Sequence, residues 1–366
     1  MNSNKPRILI FSLAYTPFIG GAEIAIQEIT KRLDGNFSFD LITCNLDGKQ
    51  KSQEQIGNVK VYRVESKFFY PWQAFKKSKE LQKENNYNLV WGMMAFWAGW
   101  VALKFKEKFP QVKYLLTLQS GDSNRFIKTR TWFWSWRYKK IYKKADRIQV
   151  ISSWLAQRAI KFGYKGRIDV VPNGVAINSK QGAINNKQGE IILTVSRLAK
   201  KNDIESLIKS ISNLENVVLK IIGEGPERNN LENLVKKLKL ENRVKFLGKI
   251  KYEDLGKYYS QADVFCRPSL SEGFGNVFIE AMASEVPVVA TKVGGIPDFL
   301  KDGETGWFCE VKNPQSIAEK IKYILDKKNE QEVQKVVTNA KKMVKEKYTW
   351  EIVSKKMKNI FKELIK

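Results

Sequence analysis

Residues 263–291 read DVFCRPSLSEGFGNVFIEAMASEVPVVAT. DVFCRPS is an apolar run of strand length, the loop after it holds Gly273 and Gly275, an apolar stretch of helical length follows, and VPVVAT is a second strand run. A strand, a covering helix and a second strand make the repeating unit of a parallel sheet. The same rhythm continues outward in both directions. EIILTVS, VVLKIIG and VKFLG precede this unit with helical stretches between them, as at Ile204 to Ile211, and ILIFSL, FDLITC, YLLTLQ and RIQVIS repeat the pattern in the first half. This alternation predicts an α/β protein with parallel sheets covered by helices on both faces.

At 366 residues the chain exceeds what one hydrophobic core serves, which predicts two domains. The polar stretch NSKQGAINNKQGE at 178–190 reads as the linker between a domain at 1–180 and another at 181–349. WEIVSKKMKNIFKELIK at 350–366 has apolar residues at helical spacing and is expected to be a closing helix that packs back on the first domain. Two doubly wound domains place their ligands at the carboxyl ends of the strands, in a deep cleft that both domains face.

Composition excludes several classes. With 43% hydrophobic residues, 28% charged residues and 10 prolines, the chain is neither collagenous nor disordered. Cys44, Cys266 and Cys309 are odd in number and lack Cys-x-x-Cys spacing, which predicts buried free thiols. The apolar part of MNSNKPRILIFSL is too short for a signal-peptide core, so a cytoplasmic protein is expected. The uncharged stretch from Asn88 to Leu103 falls short of the ~20 residues of a membrane-spanning helix and reads as a strand followed by a helix start. The chain has no histidine, which rules out Ser-His and Cys-His nucleophilic sites and metal sites that need imidazole.

Four segments can carry chemistry. Gly20 and Gly21 lie between the first strand and a helix, where bare backbone and a helix N-terminus suit a phosphate; read alone, the pair is equally an ordinary tight turn. Arg197 and Lys201 follow a strand end and suit a diphosphate, as a planar fork beside a compact charge; read alone, the segment is rather a solvated basic turn. Gly223, Gly225 and Pro226 read as a strand-to-helix connection, and the loop after RVKFLG could lie over a base. In the opening stretch, Glu272 precedes the glycine loop and a helix is expected to start near Asn276, with Glu280 about one turn inside it. Two carboxylates there can grip vicinal sugar hydroxyls through charge-assisted hydrogen bonds.

In ordered sequence, VPNGV, SRLAKKNDIESLI, IIGEGPERNNLE, RVKFLG, ADVFCRPSLSEGFGNVFIEAMASEVPVVAT, VGGIPD and DGETGW resemble the retaining GT-B glycosyltransferases of family 4, and ADRIQVISSWL and the first glycine loop extend the match more loosely into the first half. The resemblance implies the GT-B fold and a sugar-nucleotide-dependent transferase, with a nucleoside-diphosphate sugar as donor substrate and no tightly bound cofactor. By position, Glu272 and Glu280 look like the family's Glu-x7-Glu pair, the first near the donor sugar and the second on the ribose hydroxyls. Arg197 and Lys201 look like its phosphate-binding cations, and Gly20 and Gly21 would face the diphosphate from one side, with the backbone of Phe274, Gly275, Asn276 and Val277 on the other. Ile250 would contact the base.

Two departures stand out. Many relatives have Lys-Gly where this chain has Asn202-Asp203, so the second cation is assigned to Lys201 rather than Lys200. Many also have a histidine in the loop after TLQ, where this chain has Gln119, Ser120, Gly121 and Asp122. No Asp-x-Asp occurs, so no metal is expected on the diphosphate, whose charge falls to Arg197, Lys201 and helix N-termini. Retention implies that the leaving phosphate oxygen takes the acceptor's proton.

The formal charge of +26 is uneven: residues 1–183 hold 31 Lys and Arg against 13 Asp and Glu. RFIKTRTWFWSWRYKKIYKK at 125–144 carries eight cations, seven aromatics and no acid, and FFYPWQAFKK at 68–77 has similar character. Such mixtures suit an anionic membrane surface and a lipid-linked or cell-envelope glycan acceptor; aromatics that belong to the core of a generally lysine-rich chain would give the same pattern. The alternatives are a nucleic-acid-binding basic protein, which leaves Glu272 and Glu280 without a role, and another sugar-nucleotide enzyme of this fold, an epimerase or a phosphorylase.

Overall fold

The computed structural model describes residues 5–122, 127, 129, 131–132, 135–176 and 189–366. The chain divides into two compact units, residues 1–174 with 350–366, and residues 175–349. Apart from Gly189 and Glu190, the polar stretch at 178–190 lies outside the described residues.

The first unit is built on eight strands: β1 (Arg7–Phe11), β2 (Ser38–Cys44), β3 (Gln53–Ile56), β4 (Val59–Val64), β5 (Leu89–Met93), β6 (Lys113–Leu118), β7 (Arg147–Val150) and β8 (Ile168–Val170). Their order is β3-β4-β2-β1-β5-β6-β7-β8. All neighbours are parallel except β3 and β4. Central strands such as LVWGM of β5 are buried along their whole length, as parallel strands covered on both faces must be. The edge strand β3, QEQI, has no apolar run and escapes a reading based on hydrophobicity; its polar side chains suit an edge that faces water. The helices along this part of the chain include α1 (Gly21–Leu33), α2 (Tyr70–Asn85), α3 (Trp97–Lys108), α4 (Ser135–Lys143) and α5 (Ser153–Lys161). The uncharged stretch from Asn88 supplies β5 and the start of α3, and no helix among the described residues is long and apolar enough to cross a membrane.

Among the described residues the second unit has a sheet of six strands, all parallel: β9 (Glu190–Val195), β10 (Val217–Ile222), β11 (Val244–Gly248), β12 (Val264–Arg267), β13 (Val288–Thr291) and β14 (Trp307–Cys309). Their order is β11-β10-β9-β12-β13-β14, the doubly wound arrangement in which the chain reverses its direction of growth between β9 and β12. Its helices are α6 (Ile204–Ile211), α7 (Arg228–Lys237), α8 (Leu255–Tyr259), α9 (Asn276–Ala283), α10 (Pro314–Leu325) and α11 (Glu330–Lys347). The first unit reverses in the same way between β1 and β5. Such reversals part the loops of neighbouring strands and open a crevice at their carboxyl ends, so each unit has one position set out for a ligand. The three cysteines are free and buried.

The last helix, α12 (Trp350–Ile365), belongs to the first unit. Trp350, Val353, Met357, Ile360, Phe361 and Leu364 enter the core formed by β1, β2 and α1. Phe361 is fully buried, with its ring edge-on to Phe37 at 5.5 Å and to Trp91 at 5.2 Å. Phe361→Ala is expected to destabilise the first unit by about 3–5 kcal/mol through lost burial and a cavity that neighbouring rings cannot fill. The denaturant midpoint of that unit's unfolding transition measures it.

Candidate active site

In the second unit, the reversal point brings together the loop after β9 and the loop after β12. The β9 loop carries Arg197 and Lys201, both exposed, and Arg197 pairs with no carboxylate among the described residues. Asn202 turns inward instead and is buried. Its Nδ2 donates to the Arg197 carbonyl at 2.6 Å, and its Oδ1 accepts from Arg267 Nη2 at 2.9 Å. The same Nη2 donates to Glu272 Oε2. One continuous run of hydrogen bonds therefore joins the backbone of Arg197 to the carboxylate of Glu272. The Lys201 carbonyl adds a second tie, accepting from the Leu270 N–H at 2.7 Å.

Glu272 is held from its other side by backbone. Its Oε1 accepts from the N–H of Gly273 at 3.0 Å, and its carbonyl accepts from the N–H of Gly295 at 3.2 Å. Gly294 is at φ +57°, and a Cβ there would stand 1.8 Å from the Glu272 carbonyl oxygen, so the VGGIPD turn can lie against Glu272 only with glycine at 294. Gly275 is at φ +94° and caps α9, which begins at Asn276. Phe274 is buried against Phe299 and Tyr348, so only its backbone could face a ligand.

Glu280 lies one turn into α9 and is buried. The Tyr259 hydroxyl donates to its Oε2 at 2.8 Å. Burial pushes the Glu280 carboxyl up to about 7, a rise that the Tyr259 hydrogen bond and the charge of Arg267 restrain without cancelling. Burial likewise holds the Tyr259 phenol well above its ordinary range. Arg267 thus bonds Glu272 directly and acts on Glu280 through its field. Ile250, half-buried in the loop after β11, completes the sequence-derived set in this unit. Among the described residues no group of three or more carboxylates, cysteines or histidines gathers as a metal ion would need.

Sequence reasoning missed three residues here. Asn202 stands in the sequence only as a departure from the family pattern, Tyr259 has no motif to mark it, and Arg267 is signalled only as a lone cation closing the apolar run DVFC. The GEGPE turn is also more than a connection. The Leu198 N–H donates to the Glu224 carbonyl at 3.0 Å and its carbonyl accepts from Glu227, which seats that turn on the Arg197 loop.

In the first unit, Gly20 and Gly21 are exposed at the start of α1, beside the β1–β5 reversal. The Gly20 N–H donates to Glu23 Oε2 at 2.9 Å, so Gly20 offers a ligand bare backbone rather than that N–H. Asn173, from the VPNGV motif, is buried and donates to the Gly21 carbonyl at 3.4 Å and to Gln119 Oε1 at 3.0 Å, and Gln119 Nε2 returns a bond to Asn173 Oδ1 at 3.3 Å. The Gln119 loop is fixed further by Ser120 Oγ on Asp122 Oδ2 at 2.7 Å and by Arg158, which donates to the carbonyls of Ser120 and Asp122 and stacks on Trp154. Beside it lies a cavity of about 170 Å³ lined by Phe96, Gln119, Asp122, Tyr138 and Arg158, and an apolar recess of about 220 Å³ that includes Trp97 and Trp100 shares Phe96 and Tyr138 with it.

Residues 176–343 match the family described as Glycosyl transferases group 1, and residues 19–179 match the one described as Glycosyltransferase Family 4. This chain is a family 4 glycosyltransferase. An uncharacterized glycosyltransferase of Methanocaldococcus jannaschii is 28% identical over 98% of each chain. Alpha-monoglucosyldiacylglycerol synthase of Acholeplasma laidlawii is 23% identical, over 98% of this transferase and 97% of its own length. Among solved structures, sucrose-phosphate synthase from Thermosynechococcus elongatus superposes with a TM-score of 0.86 at 23% identity, covering 98% of this chain and 99% of the other. Anabaena HepE in complex with UDP and glucose superposes with a TM-score of 0.81 at 18% identity, covering 98% of this chain and all of the other. These likenesses establish the GT-B fold for the transferase.

The buried Glu280 gives a pH-dependent stability. Its carboxyl titrates near 7 in the folded transferase and near the ordinary 4.5 when unfolded. The folded state therefore keeps its proton longer, and stability falls as pH rises from 4.5 to 7, by up to about 3 kcal/mol. Glu280→Gln removes that dependence. Its stability relative to the parent protein is expected to rise between pH 5 and pH 8 in denaturant titrations, and a difference constant across this range would show that burial does not penalise the charge.

Proposed function

We propose that this transferase moves a sugar, with retention of configuration, from a nucleoside-diphosphate sugar to a hydroxyl of a lipid-linked or cell-envelope glycan acceptor. The observation that carries the donor half is the convergence of Glu272 and the backbone of the Arg197 loop at the reversal point of the second unit, with Glu280 one turn inside α9. Glu272 takes the donor sugar and Glu280 the ribose hydroxyls. Arg197, Lys201 and the start of α9 meet the charge that develops on the leaving diphosphate, and no metal is called for. In the second unit the backbone of Phe274 to Val277 takes the diphosphate and Ile250 the base; in the first unit Gly20 and Gly21 offer bare backbone that suits a phosphate. A solved relative in complex with UDP and glucose supports a donor of this chemistry.

The leaving phosphate oxygen takes the acceptor's proton on the face from which it departs. No strong protein base is then required, in keeping with a chain that has no histidine. For the acceptor, support comes from the cavity beside Gln119 and from the aromatic recess next to it. Phe68, Phe69 and Trp72 are exposed and run edge-to-face toward Trp100, with Lys104 over the Trp100 ring. Trp132 and Trp136 are exposed as well, whereas Tyr138 and Tyr142 are buried, and 123–126, 128, 130, 133 and 134 lie outside the described residues. Aromatic rings among lysines suit the headgroup level of an anionic membrane, and a relative named as a glycolipid synthase agrees with an acceptor held there.

Arg197→Ala is expected to lower turnover about 10²–10³-fold, as loss of one fixed donor to developing charge does, and Glu280→Ala to weaken donor binding. Steady-state kinetics with the nucleotide sugar that most raises the melting temperature measures both, and parent-like values in both variants would remove the donor assignment. Flotation with anionic liposomes at physiological salt tests the membrane half: binding is expected, and its absence removes that half alone.

A further inference from the structure

Arg267 closes β12, at the strand pair where the sheet reverses. Its side chain is only 11% exposed and that of Glu272 15%, so both charges are largely withdrawn from water. Removing a guanidinium from water is costly and is offset only by full pairing. Arg267 is not fully paired. Nη2 serves Asn202 and Glu272, the guanidinium sits 5.6 Å from the Phe278 ring, and the buried Nε has no partner. An apolar side chain would fill such a position at less cost, so stability is a poor reason for an arginine here.

Its geometry supplies another reason. Lys200 and Lys201 are exposed, and the inward-facing side chain of their loop is the neutral amide of Asn202. Arg267 is a cation that reaches both the Arg197 loop, through Asn202, and the carboxylate of Glu272. Both bonds leave one nitrogen of a planar guanidinium, whose two N–H directions are fixed in the plane, whereas a lysine ammonium on a flexible stem rotates freely.

We propose that Arg267, bridged by Asn202, is a positioning residue of the transfer site: it fixes the Glu272 carboxylate relative to the Arg197 loop so that the sugar and the diphosphate of one donor are held in register. The proposal rests on the donor reading given above. It makes Arg267 act through Glu272, which separates it from a residue that merely supports the fold.

The test is a double-mutant cycle on donor affinity, with UDP-glucose, GDP-mannose and ADP-glucose as probes beside UDP, GDP and ADP. Arg267→Leu is expected to weaken the preferred nucleotide sugar at least tenfold and its nucleoside diphosphate less than threefold. In a Glu272→Ala background the same change is expected to cost less than threefold, because the group it positions is gone. Should the leucine variant fail to fold, Arg267→Lys closes the cycle, with a smaller loss of about fivefold that likewise vanishes without Glu272. Parent-like affinity in a folded Arg267 variant, an equal loss for the sugar-free diphosphate, or a full loss added to that of Glu272→Ala would overturn the proposal. If the unaltered protein binds none of the six probes, the donor reading falls and this inference with it; if it binds and Glu272→Ala impairs it while Arg267 is silent, only this inference falls.

Discussion

Arg267 donates from one nitrogen to the amide of Asn202 and the carboxylate of Glu272, and through Asn202 it reaches the backbone of Arg197. The β9 and β12 loops leave adjacent strands at the point where the sheet reverses, and there the sheet's own hydrogen bonds no longer hold them together. The charge-assisted bridge takes over that task. Around it the Leu198 backbone bonds the GEGPE turn and the Gly294 turn presses on Glu272, so four loops of one unit are fixed against one another.

Burial sets the electrostatics of the same region. Glu280 is largely withdrawn from water and gains one phenol donor, which leaves its carboxyl near 7, whereas Glu272, nearby in sequence, meets a guanidinium directly. Two carboxylates eight positions apart thus occupy different environments because one faces into the α9 packing and the other faces the loop. In a chain without histidine, such differences between carboxylates are a means of obtaining a group that titrates near neutrality.

The first unit follows the same plan with neutral groups. Asn173 and Gln119 exchange amide hydrogen bonds and tie the glycine loop to the loop after β6. Arg158 is buried under Trp154 and spends its guanidinium on two backbone carbonyls, which fixes the wall of the adjoining cavity. The aromatic segments divide between roles. Tyr70, Tyr138 and Tyr142 are packed inside, while Phe68, Phe69, Trp72, Trp132 and Trp136 face outward. Composition could not separate these, because the two sets alternate within single short segments.

The amino-acid order by itself determined the alternation of strands and helices, the start of α9 near Asn276, the burial of the three thiols and the candidacy of Glu272, Glu280, Arg197, Gly20 and Gly21 for a ligand site. Each follows from local properties: period, turn chemistry and motif spacing act over a few residues and are written in them. The polar edge strand β3, the inward turn of Asn202, the reach of Tyr259 to Glu280 and the bridge made by Arg267 were decided only by tertiary structure. Asn202 and Arg267 are 65 positions apart. Their contact exists because β12 is laid directly beside β9 in the sheet, and strand order is a property of the whole packed unit that no short window of residues encodes.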